Sequence, residues 1–180
     1  MILNWSSLNV IDKKLKYRTA VSDYYPNDKT MTDAQYHYEC PQDYVLVNQN
    51  CYYFSTSADT WRSAYFNCKD KNGELALVKK KWMDKSLRTY LKTGRMGWVD
   101  RWIGGIYDWK RMLWVWGASG QPLRYRGFAK RVRKNLASGN HQWKCISMNP
   151  SFRYRWQPKT CTKELHYICE TRPRTNLVTK

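Results

Sequence analysis

The chain has 180 residues, 42% of them hydrophobic and 16% aromatic, and a formal net charge of +18. That length allows one ordinary core, and no run approaches the roughly 18–20 consecutive apolar residues of a membrane span. A charge excess of this size points toward anionic partners and away from cationic ones.

In chain order, Met1-Ile2-Leu3-Asn4-Trp5-Ser6-Ser7 lacks the basic start, apolar stretch and small-residue cleavage site of an export signal. Asn4-Trp5-Ser6 is the one glycosylation sequon, because Asn149-Pro150-Ser151 is blocked by its proline. Residues 22–39 carry Asp23, Asp28, Asp33 and Glu39 without helical or strand periodicity. Residues 1–39 are therefore expected to be an exposed lead-in. Trp61, Ala64, Tyr65 and Cys68 then share one face of a helix, with Asp59 as its expected cap and Asn72-Gly73 as its stop. A second helix follows. Met83, Leu87, Tyr90 and Leu91 form its apolar face, Lys81, Lys85, Arg88 and Lys92 its other face, and Gly94 its end.

Leu75 to Val78, Trp102-Ile103, Leu113 to Trp116, Lys144 to Met148 and His166 to Cys169 read as short strands. Helices and strands do not alternate, so the expected class is α+β with a mainly antiparallel sheet. Gly117 to His141 has little periodicity and many charges, the mark of a long functional or disordered loop. Residues 171–180 read as a basic tail.

Six cysteines, Cys40, Cys51, Cys68, Cys145, Cys161 and Cys169, include no Cys-x-x-Cys pair. That argues for three disulfides and an oxidising compartment, not for zinc. The connectivity stays open on spacing alone. An extracellular or secreted location conflicts with the missing export signal, so the expectation is that the signal or an anchor is absent from this chain.

Several segments together resemble the long form of the C-type lectin-like family. They are Cys40-Pro41 with Cys51-Tyr52-Tyr53-Phe54, Thr60-Trp61-Arg62-Ser63-Ala64 leading to Cys68, and Trp102-Ile103-Gly104-Gly105 in place of Trp-Ile-Gly-Leu. Trp114-Val115-Trp116 with Pro122-Leu123, and the run from Cys161 to Ile168-Cys169-Glu170, complete the pattern. The resemblance covers residues 40–170 and implies the pairs Cys40–Cys51, Cys68–Cys169 and Cys145–Cys161. The second would close a loop worth about 4–5 kcal/mol in the chain-entropy account.

Family members that hold sugar through calcium use Glu-Pro-Asn or Gln-Pro-Asp in the long loop and Trp-Asn-Asp before the fifth cysteine. Here the second motif falls on Trp156-Gln157-Pro158, and Phe128 to Lys134 occupies the place of the first. Calcium takes about six to eight oxygens, usually several from carboxylates. Between Arg101 and Lys163, 14 lysines and arginines stand against the single Asp108. No metal or other cofactor is expected.

That same stretch carries most of the charge excess. Lys130, Arg131, Arg133 and Lys134 form a dense cluster, flanked by Arg124 and Arg126 and later in sequence by Arg153 and Arg155. Arginine forks pair with sulfate or carboxylate, and the interleaved tyrosines suit sugar rings. These eight residues are the candidate ligand site for an anionic glycan or matrix polymer, with an acidic protein as the alternative partner. A solvated basic surface is the plain alternative. Nucleic acid fits the charge but not the compartment.

Trp61, Trp102, Trp114 or Trp116, and Trp156 fall on family core positions; for Trp82, Trp98, Trp109 and Trp143 packing is the expectation, with exposure and ligand contact for some of them as the alternative. His37, His141 and His166 lie in no metal-ligand or triad spacing, and no nucleophile motif is present, so no enzyme activity is expected. The oligomeric state is not legible.

Overall fold

The computed structural model describes residues 35–136 and 141–178; the Asn4 sequon, residues 1–34 of the lead-in and part of the long loop lie outside them. In chain order the elements are β1 (Gln35–Glu39), β2 (Val45–Val47), β3 (Asn50–Phe54), α1 (Trp61–Asp70), β4 (Glu74–Leu75) and α2 (Lys81–Leu91). Next come β5 (Arg101–Asp108), β6 (Leu113–Trp116), α3 (Lys130–Arg133), β7 (Lys144–Asn149), a 3-10 turn (Pro150–Phe152), β8 (Arg155–Thr160), β9 (His166–Thr171) and β10 (Arg174–Val178). The class is α+β, as expected, with a third short helix inside the stretch that has no periodicity.

The main sheet runs β2-β3-β9-β5-β7-β8, with β4 also on β9 and β6 also on β5. All its pairings are antiparallel except β5 with β9. Alternation along the strands divides the core between two faces. Trp102, Cys145, Tyr167 and Cys169 pack with Trp61, Ala64 and Cys68 of α1. Ile103, Ile146 and Ile168 pack with Met83, Leu87 and Leu91 of α2. The helices thus cover opposite faces of the sheet.

The first helix is capped by Thr60, not Asp59. The Thr60 Oγ1 accepts the Ser63 N–H at 3.2 Å. Asp59 is held elsewhere, its backbone paired both ways with Leu165 and its Oδ2 accepting from Asn67. The stop is as expected. Asn72 has φ 55°, its N–H donates to Lys69 and the Gly73 N–H donates to Cys68, which satisfies the last carbonyls of the helix. The fourth position of Trp102-Ile103-Gly104-Gly105 is glycine because a Cβ there would stand 2.4 Å from Ile146 Cδ1. A larger side chain in β7 fills the space that a side chain in β5 would take.

The three expected disulfides form, Cys40–Cys51, Cys68–Cys169 and Cys145–Cys161. They also bear on the flanks. The last five residues read as lead-in pair with residues 174–178 of the tail, β1 with β10, in an antiparallel ladder from Gln35 opposite Val178 to Glu39 opposite Arg174. Cys40 is tied to Cys51, and Cys51 stands opposite Thr171 in the sheet. The chain therefore enters and leaves at one place, and the two flanks start side by side. That neighbourhood is a property of the fold, invisible in either segment alone.

Candidate functional site

The loop after β6 first doubles back. Val115 bridges Pro122, and the Leu123 N–H donates to the Trp114 carbonyl at 3.0 Å. From Leu123 to Phe128 apolar and charged residues alternate. Leu123 and Phe128 are buried and Tyr125 is half-buried, while Arg124 and Arg126 are exposed.

Residues 127–129 then lie along the free edge of β8. Trp156 donates its N–H to the Gly127 carbonyl at 3.1 Å and accepts the Ala129 N–H at 3.0 Å. Odd-numbered residues of β8 bond toward β7, as the Cys161 N–H to the Trp143 carbonyl shows, so even-numbered ones face the loop. Pro158 is the next outward position, where its missing N–H breaks no bond to β7. The proline ends the added strand, and the chain turns into α3 with Lys130, Arg131, Arg133 and Lys134 all exposed.

One buried carboxylate anchors this arrangement. Asp84 of α2 is fully buried and its Oδ2 accepts from Arg88 Nε at 2.8 Å and from the Tyr125 hydroxyl at 3.0 Å, with Arg155 Nη1 at 3.9 Å. Burial, then the Asp84 charge beside it, pushes the Tyr125 phenol up to about 12, so it stays a neutral donor. Tyr125 also sets its ring edge-on to Trp156, which meets Trp116 and Phe128 in the same way. Gly127 is required here, because a Cβ would fall 2.6 Å from the Trp156 ring and 2.9 Å from Asp84 Oδ1.

Of the eight expected site residues, the parallel Phe128 to Trp156 bridge lays the segment that holds Arg126 and Lys130 along the strand that holds Arg155. Arg153 stands exposed in the turn between β7 and β8, and Arg155 is partly drawn inward to Asp84. The other seven are exposed and have no ion pair among the described residues. Sequence reasoning missed Asp84. The available signal was its spacing to Leu87 and Leu91, which puts it on the inner face. It also set Arg88 on the solvent face, whereas Arg88 turns to Asp84.

Other expectations divide. Trp61, Trp102, Trp114, Trp116 and Trp156 are buried as expected, but Trp82, Trp98, Trp109 and Trp143 are exposed. Each of these four lies at a helix start or in a turn or loop. His141 packs against Tyr107 and Trp114, and His166 bonds the Ser55 carbonyl, both structural places. The side chain of His37 lies outside the described residues. Among the described residues no three His, Cys, Asp or Glu side chains cluster as metal ligands do.

The family model for the lectin C-type domain matches residues 57–171, more than half of the chain. The chain belongs to the C-type lectin domain family. Among relatives, killer cell lectin-like receptor subfamily F member 2 of Homo sapiens is 28% identical over 103 residues, 57% of this chain and 47% of that receptor. Salivary C-type lectin 2 of Aedes albopictus is 26% identical over 134 residues, 71% of this chain and 87% of the relative. A solved calcium-independent type II antifreeze protein superposes with a TM-score of 0.61 at 25% identity, covering 77% of this chain and 98% of that one. In this C-type lectin domain the calcium-motif position before the fifth cysteine is a strand edge, with Trp156 in the core and Pro158 closing the edge.

Proposed function

We propose that this C-type lectin domain is an extracellular binding module that holds an anionic glycan or matrix polymer through its basic face, without calcium. One observation carries the reading: seven exposed cations, Arg124, Arg126, Lys130, Arg131, Arg133, Lys134 and Arg153, stand without a carboxylate partner among the described residues. A calcium ion there would meet Gln157, Pro158 and a field of like charge, with no acidic cluster to neutralise it. The kinship with a calcium-independent antifreeze protein supports a fold that stands without the ion. The three disulfides support an oxidising compartment.

The test is a heparin column. Replacing Lys130, Arg131, Arg133 and Lys134 by glutamine should move elution to lower salt and leave the melting temperature nearly unchanged, since exposed substitutions cost under about 0.5 kcal/mol each. Salt dependence should also flatten, because fewer counterions are exchanged. Unchanged retention would remove α3 from the site and put an acidic protein partner ahead of the glycan.

A further inference from the structure

Trp98 is 63% exposed and yet firmly held. Its ring stacks on that of Tyr154 with centroids 6.0 Å apart and planes 22° from parallel. Its indole edge lies against Gly94, 3.2 Å from where a Cβ would stand. Beneath it, two buried side chains fix the loop backbone. The hydroxyl of fully buried Tyr154 donates to the Gly97 carbonyl at 3.1 Å, and Arg101, buried in β5, donates to the carbonyls of Met96 and Ser55. Burial raises the Tyr154 phenol, which keeps it a neutral donor.

The supporting turn is strained. Arg153 and Tyr154 are consecutive non-glycine residues in the left-handed region, with φ of 55° and 58°. Such backbone persists only where the surroundings enforce it, and it gathers at functional sites. Here it carries the Tyr154 ring inward below Trp98 and leaves Arg153 outside.

The cations of the two segments that build the stack are unmatched. Lys92, Arg95 and Arg153 are exposed without ion pairs among the described residues, while Asp100, the acid of this loop, lies 3.4 Å from Lys159. The stack is one ring wide, with the exposed cations Arg95 and Arg153 in the segments that build it, which suits a charged sugar ring better than an apolar helix. A rigid aromatic also orders little on binding, so its contact area is retained as affinity.

We infer that Trp98 on Tyr154 is an aromatic shelf that stacks a sugar ring bearing sulfate or carboxylate groups, with Arg95 and Arg153 pairing with those groups. The inference rests on the glycan reading above and adds a second element to that site, since the Arg153–Tyr154 turn leads directly into β8. Stacking and charge leave different signatures, which separates the two.

The probe is a size-defined sulfated heparin hexasaccharide, titrated calorimetrically against the full chain over a range of salt. Trp98→Ala should weaken binding about tenfold, or about 1.4 kcal/mol, with the slope against salt unchanged. Arg153→Gln should flatten the slope, as the α3 substitutions do. Tyr154→Phe, which frees the Gly97 carbonyl, should weaken binding severalfold at unchanged slope and decides the matter if the alanine variant does not fold. Binding by Trp98→Ala within about twofold of wild type would overturn the shelf, whatever the α3 variant does. Loss of binding in Trp98→Ala alone, with the α3 variant unaffected, would keep the shelf and sink the α3 face. No binding of the hexasaccharide by the wild-type chain would overturn both.

Discussion

Asp84 and Glu170 are the two acidic side chains whose surroundings decide most. Asp84 ties α2 to the long loop through Tyr125, so its removal should loosen the basic face as well as the fold. Asp84→Ala is expected to cost about 2–3 kcal/mol, less than the full penalty for breaking a buried pair because Arg88 and Arg155 both reach water. A denaturant melt measures it, and Asp84→Asn, which keeps an acceptor, should recover part of the loss. Glu170 has one carboxyl oxygen, Oε2, buried without a partner, and it stands opposite Glu74 across the β4–β9 pair. Burial is the main cause that raises it from its ordinary 4.5 to about 7, and Glu74 adds to the rise against the pull of the Leu77 N–H and Lys79. The folded state therefore holds the proton while the unfolded chain releases it. Wild type should lose stability relative to Glu170→Gln as pH rises from about 4.5 to 7, and the gap should stay constant above that. Parallel melting curves for the two across pH 4.5 to 8 would show that Glu170 ionises normally. Neither environment was legible in the sequence, because each is built by residues far away: Tyr125 and Arg155 for Asp84, Glu74 and Lys79 for Glu170.

Among the elements, those with local signals were legible. The face of Trp61, Ala64 and Cys68 and the Asn72-Gly73 stop placed α1, and the apolar runs placed β5, β6, β7 and β9. The Thr60 cap escaped because Asp59 is an equally good capping residue, and only its tertiary pairing with Leu165 removes it from the role. Thr60→Ala should cost about 1 kcal/mol, seen as a fall in melting temperature of about 2–4 °C; Asp59→Ala should not change the hydrogen exchange of the Ser63 amide. The strand β8 was not legible, since Arg-Trp-Gln-Pro-Lys-Thr has neither alternation nor a β-rich composition. Its place comes from pairing with β7 and from the loop strand on its other edge. The buried Arg101 was missed for a similar reason. A guanidinium at the start of a core strand looks like a surface residue until the Met96 and Ser55 carbonyls are seen to converge on it. Arg101→Ala should destabilise by about 3 kcal/mol, since bonds to a charged donor contribute about 1.5–3 kcal/mol each. It should also speed amide exchange in residues 96–98, and exchange confined to the global unfolding rate would contradict that anchoring role.

At the scale of the molecule, the cysteines in their motif context carried the fold. The pairing of β1 with β10 was beyond sequence reasoning because it depends on the Cys40–Cys51 link delivering both flanks to one edge. Calcium at millimolar concentration should leave the melting temperature unchanged, because a ligand of the native state would raise it by linkage; a rise of several degrees reversed by chelator would restore a metal site. The most direct measurement of the central claim is a glycan array probed with the oxidised chain, with and without chelator. Signal on sulfated or carboxylated glycans, weakened by salt and indifferent to chelator, is the expected result. Signal confined to neutral sugars and lost with chelator would contradict it.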